Sequence, residues 1–207
     1  MNQLVWYVDR AAGMTALILL TASVCLGIGL AGRFRSRRWP AFAIEDVHRY
    51  LGLLTGTFIV IHALAILLDS FVPYSLTQLL VPGTAPSRTM AVAAGVVSAE
   101  LLAALALTNR FRKRLSFAFW RKAHYLNFAV WILALGHGIA AGTDSDQRWA
   151  VFLYAGCAAA VTGLLAWRFL AKRALEPWEL SVWPTAAAIL VGELVVALTF
   201  GPLGHHG

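Results

Sequence analysis

Charge is scarce in this chain of 207 residues. Only 13% are Asp, Glu, Lys or Arg, against roughly 25% in a water-soluble domain. Together with a hydrophobic fraction of 59%, that shortage excludes a soluble fold. Cysteine is nearly absent. The two present, Cys25 and Cys157, sit inside apolar runs, and there is neither a C-x-x-C-H attachment motif nor a cysteine set for zinc or iron–sulfur. Thiol chemistry is excluded, and packing is the expected role of both. Internal repeats, low-complexity tracts and linkers are also missing, as is the hydropathy symmetry expected of an inverted-repeat transporter. The net charge of +7 comes in short blocks between apolar runs. It therefore excludes a nucleic-acid footprint and implies no nucleic-acid partner.

What the chain does have is apolar length. Six segments can each cross a bilayer: Ala11 to Ala31, His48 to Leu68, Met90 to Leu107, Leu126 to Ala141, Trp149 to Leu170 and Pro184 to Leu203. The first is too long for a signal peptide, carries Asp9 beside Arg10, and lacks a small-x-small cleavage site. The expected architecture is an all-α integral membrane protein: six transmembrane helices forming one domain over residues 1–207, surrounded by membrane lipid.

Basic residues orient it. Arg33, Arg35, Arg37, Arg38 and Arg49 follow or flank the first connection; Arg110, Arg112, Lys113, Arg114, Arg121 and Lys122 form the second group. Arg168, Lys172 and Arg173 close the fifth span, so all three groups fall on one side. Only Arg10, Arg88 and Arg148 fall on the other. The positive-inside rule puts the basic loops in the cytoplasm and both termini outside the plasma (inner) membrane.

Four histidines stand out: His48 and His62 in the second span, His124 and His137 in the fourth. Ionisable groups within a membrane are costly and face the bundle interior with a partner. The separations of 14 and 13 residues correspond to roughly 21 and 20 Å of helix rise. Both helices run from cytoplasm to outside, so His48 and His124 share an inner level, and His62 and His137 an outer one. Two neutral imidazoles on facing helices can be the axial ligands of one haem iron. The expected metal ligands are thus two pairs, each able to hold one haem, in a haem-binding helix bundle. Azimuth is less regular. At about 100° per residue, 14 residues return near the starting direction, but 13 miss by about 140°. Either the fourth helix distorts near Gly136 and Gly138, or His124 precedes its regular part.

The segment from Asp46 to Asp144 resembles the ferric reductase-like transmembrane domain, shared by ferric reductases, NADPH oxidases and the haem membrane subunit of periplasmic methionine sulfoxide reductase. His48-Arg49-Tyr50-Leu51-Gly52 through Val60-Ile61-His62 matches its first haem helix. Phe119-Trp120-Arg121-Lys122-Ala123-His124-Tyr125-Leu126, with Leu135-Gly136-His137-Gly138, matches the second. The resemblance implies electron transfer through two bis-His b-type haems, from a cytoplasmic-side donor to an outer-face acceptor or partner protein. Many members continue into flavin and nicotinamide domains. Here the corresponding position, Ala171 to Ser181, leads instead to the extra span at 184–203. No G-x-G-x-x-G opens a helix after a strand. The expected donor is a separate flavoprotein, quinol, or a flavin bound at a membrane face. A membrane reductase acting directly on ferric chelate, oxygen or an oxidised protein is the alternative activity, as is a quinol-linked cytochrome b.

Other residues carry two readings each. Arg49, Arg121 and Lys122 adjoin the inner ligands and serve either as haem-propionate partners or as plain cytoplasmic anchors. Arg88 and Arg148 are the corresponding outer candidates. Glu100 and Glu193, inside the third and sixth spans, either relay protons or contact a quinone, or simply bond a neighbouring helix. The loop from Phe71 to Ser87 either covers the outer haem and docks an acceptor, or lies in the headgroup region. Trp6, Trp39, Trp149, Trp178 and Trp183 fit an aromatic belt. His205 and His206, in the tail, are left out of the ligand set.

Overall fold

A computed structural model describes residues 3–31, 40–69 and 73–175. All described regular structure is helical: α1 (Gln3–Ala31), α2 (Ala41–Leu68), α3 (Leu76–Leu80), α4 (Thr89–Arg110), α5 (Phe117–Tyr125), α6 (Asn127–Ala141) and α7 (Arg148–Leu175), with one 3-10 turn at Arg112–Arg114. Five stretches are long and apolar enough to cross a membrane: α1, α2, α4, α5 with α6 taken as one, and α7. The expected sixth span, with Glu193, Trp178, Trp183, His205 and His206, lies outside the described residues. So do Arg33, Arg35, Arg37, Arg38, Trp39 and Phe71.

The boundaries follow local chemistry. Pro40 precedes α2 in extended conformation and cannot continue a helix backwards. Ser75 and Gln78 form a reciprocal capping box at α3. Arg88, at φ 46°, takes the left-handed conformation that starts α4. The first helix begins at Gln3 rather than at Ala11. Asp9 and Arg10 are therefore helical, and each has a partner, described below.

Helices in lipid gain little from hydrophobic transfer and depend on close packing and interhelical hydrogen bonds. The buried core joins α1 (Leu17, Leu20, Val24, Ile28), α4 (Leu105), α6 (Val130, Trp131, Leu135) and α7 (Ala150, Tyr154, Cys157, Val161). Three polar fasteners cross it. Trp131 Nε1 donates to Thr21 Oγ1 at 3.0 Å, Ser98 Oγ to the Val130 carbonyl at 2.9 Å, and Tyr154 OH to the Gly138 carbonyl at 2.9 Å. Cys157 packs in this core with Cys25 beside it, and both are free.

The second helix stands apart. It lies antiparallel along α1, barely touches α4, and touches α6 less still. What bridges the space between α2 and α5–α6 is histidine rings. The cations of the turn after α4, with Arg121 and Lys122, lie at one end of the bundle, where Arg168 Nη2 donates to the Ala31 carbonyl closing α1. Arg10, Arg88 and Arg148 lie at the other. These are called the basic end and the far end below.

Candidate functional site

The two expected levels form. At the basic end the rings of His48 and His124 have centroids 6.0 Å apart with planes at 72°. At the far end His62 and His137 are 6.2 Å apart at 74°. A metal–imidazole bond is about 2.0–2.1 Å, and the ring centroid lies about 1.1 Å behind the ligating nitrogen, so two imidazoles sharing one metal in line have centroids about 6.3 Å apart. Both pairs fit that spacing. Among the described residues no cluster of three or more His, Cys, Asp or Glu could hold a metal. Two imidazoles per level would suit a metal whose remaining positions are filled by a macrocycle.

Hydrogen bonding fixes which nitrogen is free. His48 Nδ1 donates to the Ser23 carbonyl at 2.9 Å, His62 Nδ1 to the Asp9 carbonyl at 3.0 Å, and His137 Nδ1 to the Ala91 carbonyl at 2.9 Å. A carbonyl only accepts, so the proton sits on Nδ1 and the lone pair on Nε2, the arrangement typical of a metal-ligating imidazole. His124 has no such bond among the described residues. Trp120 stacks on it at 5.2 Å, its indole N–H held by Asn109 Oδ1 at 2.8 Å.

Helical carbonyls are normally covered by the side chain one turn on. Here that residue is glycine each time. Gly13 follows Asp9 by four, Gly27 follows Ser23 by four, and Gly95 follows Ala91 by four. A Cβ at Gly13 would sit 3.1 Å from His62 Nδ1, one at Gly27 3.4 Å from His48 Cε1, and one at Gly95 2.6 Å from His137 Nδ1. The bare backbone lets the His137 and His62 rings reach their acceptors, while a Cβ at Gly27 would meet His48 at ordinary contact distance. These glycines, with Asp9 and Ser23, are absent from the candidate residues read off the sequence. A signal was there: Asp9 to Ser23 and Gly13 to Gly27 both repeat the 14-residue interval of His48 to His62. Two antiparallel helices with equal intervals meet at two matching rungs.

The irregular azimuth of the fourth span resolves at its start. Leu126 separates α5 from α6, its N–H reaching back to the Ala123 and His124 carbonyls, while Asn127 Nδ2 caps the His124 carbonyl at 2.8 Å. His124 thus lies in α5, ahead of the break that opens α6. The helix runs unbroken through Gly136 and Gly138, so of the two alternatives the break lies on the His124 side rather than at the glycines. Gly138 instead admits the Tyr154 ring, which a Cβ would approach to 3.1 Å.

The charged candidates are more dispersed. Arg49 is exposed and lies 3.7 Å from exposed Asp46. Arg121 covers the Phe117 ring, and Lys122 is exposed. Arg88 Nη1 donates to the carbonyls of Ala140, Ala141 and Gly142, closing the C-terminus of α6. Arg148 is exposed at the start of α7, and Glu100 is exposed on α4. Arg10 pairs with Asp144 and lies over the Trp6 ring. Asp9 places Oδ1 2.7 Å from His62 Nδ1.

A family profile described as ferric reductase like transmembrane component matches residues 12–135. The match begins in α1 rather than at Asp46, and takes in His48, His62 and His124. No curated protein and no solved structure matches the chain. The match covers more than half of the sequence and ends within α6, two residues before His137. The chain belongs to the ferric reductase-like transmembrane component family, whose members typically bind b-type haems and act in electron transfer across membranes.

Proposed function

We propose that the chain carries electrons across the plasma membrane through two b-type haems, one held by His48 and His124 and the other by His62 and His137. The observation that carries this reading is the pair of imidazole levels, 6.0 and 6.2 Å between centroids. Three of the four rings also have Nδ1 tied to a backbone carbonyl. The haem supplies reversible one-electron chemistry. The protein's residues orient the ligands, exclude water and keep Nε2 unprotonated. Fourteen residues of rise, roughly 21 Å, separate the two levels along α2, so one haem at each would divide the crossing into two steps.

The basic end faces the cytoplasm in this reading, by the positive-inside rule. A separate flavoprotein, a quinol or a bound flavin supplies electrons there, and a small acceptor or partner protein takes them at the far end. In proteoliposomes with an electron acceptor sealed inside and a reductant outside, the purified chain should reduce the trapped acceptor. His62→Ala and His48→Ala should each abolish the flux. Undiminished flux in either variant would refute the two-step path.

A further inference from the structure

On the α1 side the two levels are built on one pattern with one chemical difference. On α1 the residue whose carbonyl receives the imidazole proton is Ser23 at the basic end and Asp9 at the far end, 14 residues apart. The side chains add different second contacts. Ser23 offers a neutral hydroxyl 3.2 Å from His48 Nδ1. Asp9 offers a carboxylate oxygen 2.7 Å from His62 Nδ1, buried and with no hydrogen-bond partner among the described residues, since the Nδ1 proton goes to the Asp9 carbonyl. The adjacent cation does not serve it, because Arg10 is paired with Asp144. Nor does Arg88 Nη1, which is bound to the carbonyls ending α6.

We infer that Asp9 is a positioning residue that sets the far-end haem at a lower reduction potential than the basic-end haem. The inference rests on the two-haem reading above. A carboxylate held against the distal N–H of a ligating imidazole polarises that N–H and makes the imidazole a stronger electron donor. Reduction adds one electron and takes iron(III) to iron(II), so the positive charge at the site falls by one. A carboxylate held beside the ligand in a low-dielectric interior favours the more positive, oxidised state. Both effects act in the same direction. The serine hydroxyl at the other level contributes only a weaker, neutral contact. The far-end haem is then the stronger reductant of the two, where electrons leave the chain.

The test is a potentiometric titration of the purified haem-loaded chain, with low-spin electron paramagnetic resonance as a second readout. The far-end couple is identified as the one lost in His62→Ala. In Asp9→Asn and Asp9→Ser the far-end midpoint should rise by at least 59 mV, a tenfold change for a one-electron couple. The basic-end midpoint should stay in place. Asp9→Ser copies the arrangement at Ser23, so it should bring the two midpoints together. Both haems present with unmoved midpoints would overturn the inference and leave the two-haem reading intact. Loss of the far-end haem from both variants would also overturn it, since the carboxylate would then be needed for assembly. Absence of haem from the unaltered chain would instead defeat the reading on which it rests.

Discussion

Replacing Gly95 by alanine should damage the far-end level while leaving the helix that carries it intact. The new Cβ would lie 2.6 Å from His137 Nδ1 and 2.8 Å from both Cε1 and Cγ. Ordinary contact is about 3.5–4.0 Å, so the ring must move by roughly 1 Å. It cannot do so and keep its 2.9 Å hydrogen bond to the Ala91 carbonyl. Metal ligands tolerate displacements of only about 0.2 Å, and loss of an outer-shell partner typically lowers affinity 10–100-fold. Alanine in place of helical glycine otherwise favours the helix by about 1 kcal/mol, so the fold should not suffer. The three glycines thus form a graded series. Gly13→Ala, with its Cβ 3.1 Å from His62 Nδ1, should weaken the far-end haem less. Gly27→Ala, at 3.4 Å from His48 Cε1, should be tolerated. Haem content per chain and the reduced-minus-oxidised spectrum measure the effect; detergent-solubilised yield and thermal midpoint monitor the fold. Full haem content in Gly95→Ala, or a larger loss from Gly27→Ala, would refute the argument that bare backbone seats the imidazoles.

Three further outcomes can be checked separately. Thr21→Val leaves the buried Trp131 indole N–H without its 3.0 Å acceptor and should destabilise the chain by about 1 kcal/mol, read as a lower thermal midpoint, while Thr21→Ser should restore most of it. Arg88→Ala exposes the three carbonyls ending α6 and should cost about 0.3–1 kcal/mol of thermal stability with both haems retained; loss of the far-end haem would instead assign Arg88 to a propionate. Single cysteines placed at exposed Asp146 and exposed Lys113, in a chain lacking Cys25 and Cys157, should react with a membrane-impermeant maleimide only at Asp146 in intact cells. Labelling of Lys113→Cys alone would reverse the orientation.

The sequence carried the two histidine levels better than it carried their supports. Four histidines in apolar helices are unusual enough in lipid to need a common cause, and helix rise alone puts them at two depths. Azimuth was harder to read, because it depends on where a helix begins. The break at Leu126 has no glycine or proline to announce it, and it is made by backbone and Asn127 contacts. The glycine supports were legible in principle as a 14-residue echo of the histidine spacing, but a glycine in an apolar helix is common and carries no side-chain chemistry. In sequence Asp9 speaks only against a signal peptide, since its contact is with His62, 53 positions away. Arg49, next to His48, is exposed beside Asp46.

The central claim is that this chain holds two haems, each between two imidazoles. Pyridine haemochrome quantification against protein mass, with electron paramagnetic resonance of the oxidised protein, tests it directly. The account predicts two low-spin bis-imidazole haems per chain. It predicts one remaining in His48→Ala or His124→Ala, one in His62→Ala or His137→Ala, and none when one histidine from each pair is replaced. One haem or none in the unaltered chain, or a variant pairing that crosses the two levels, would contradict it.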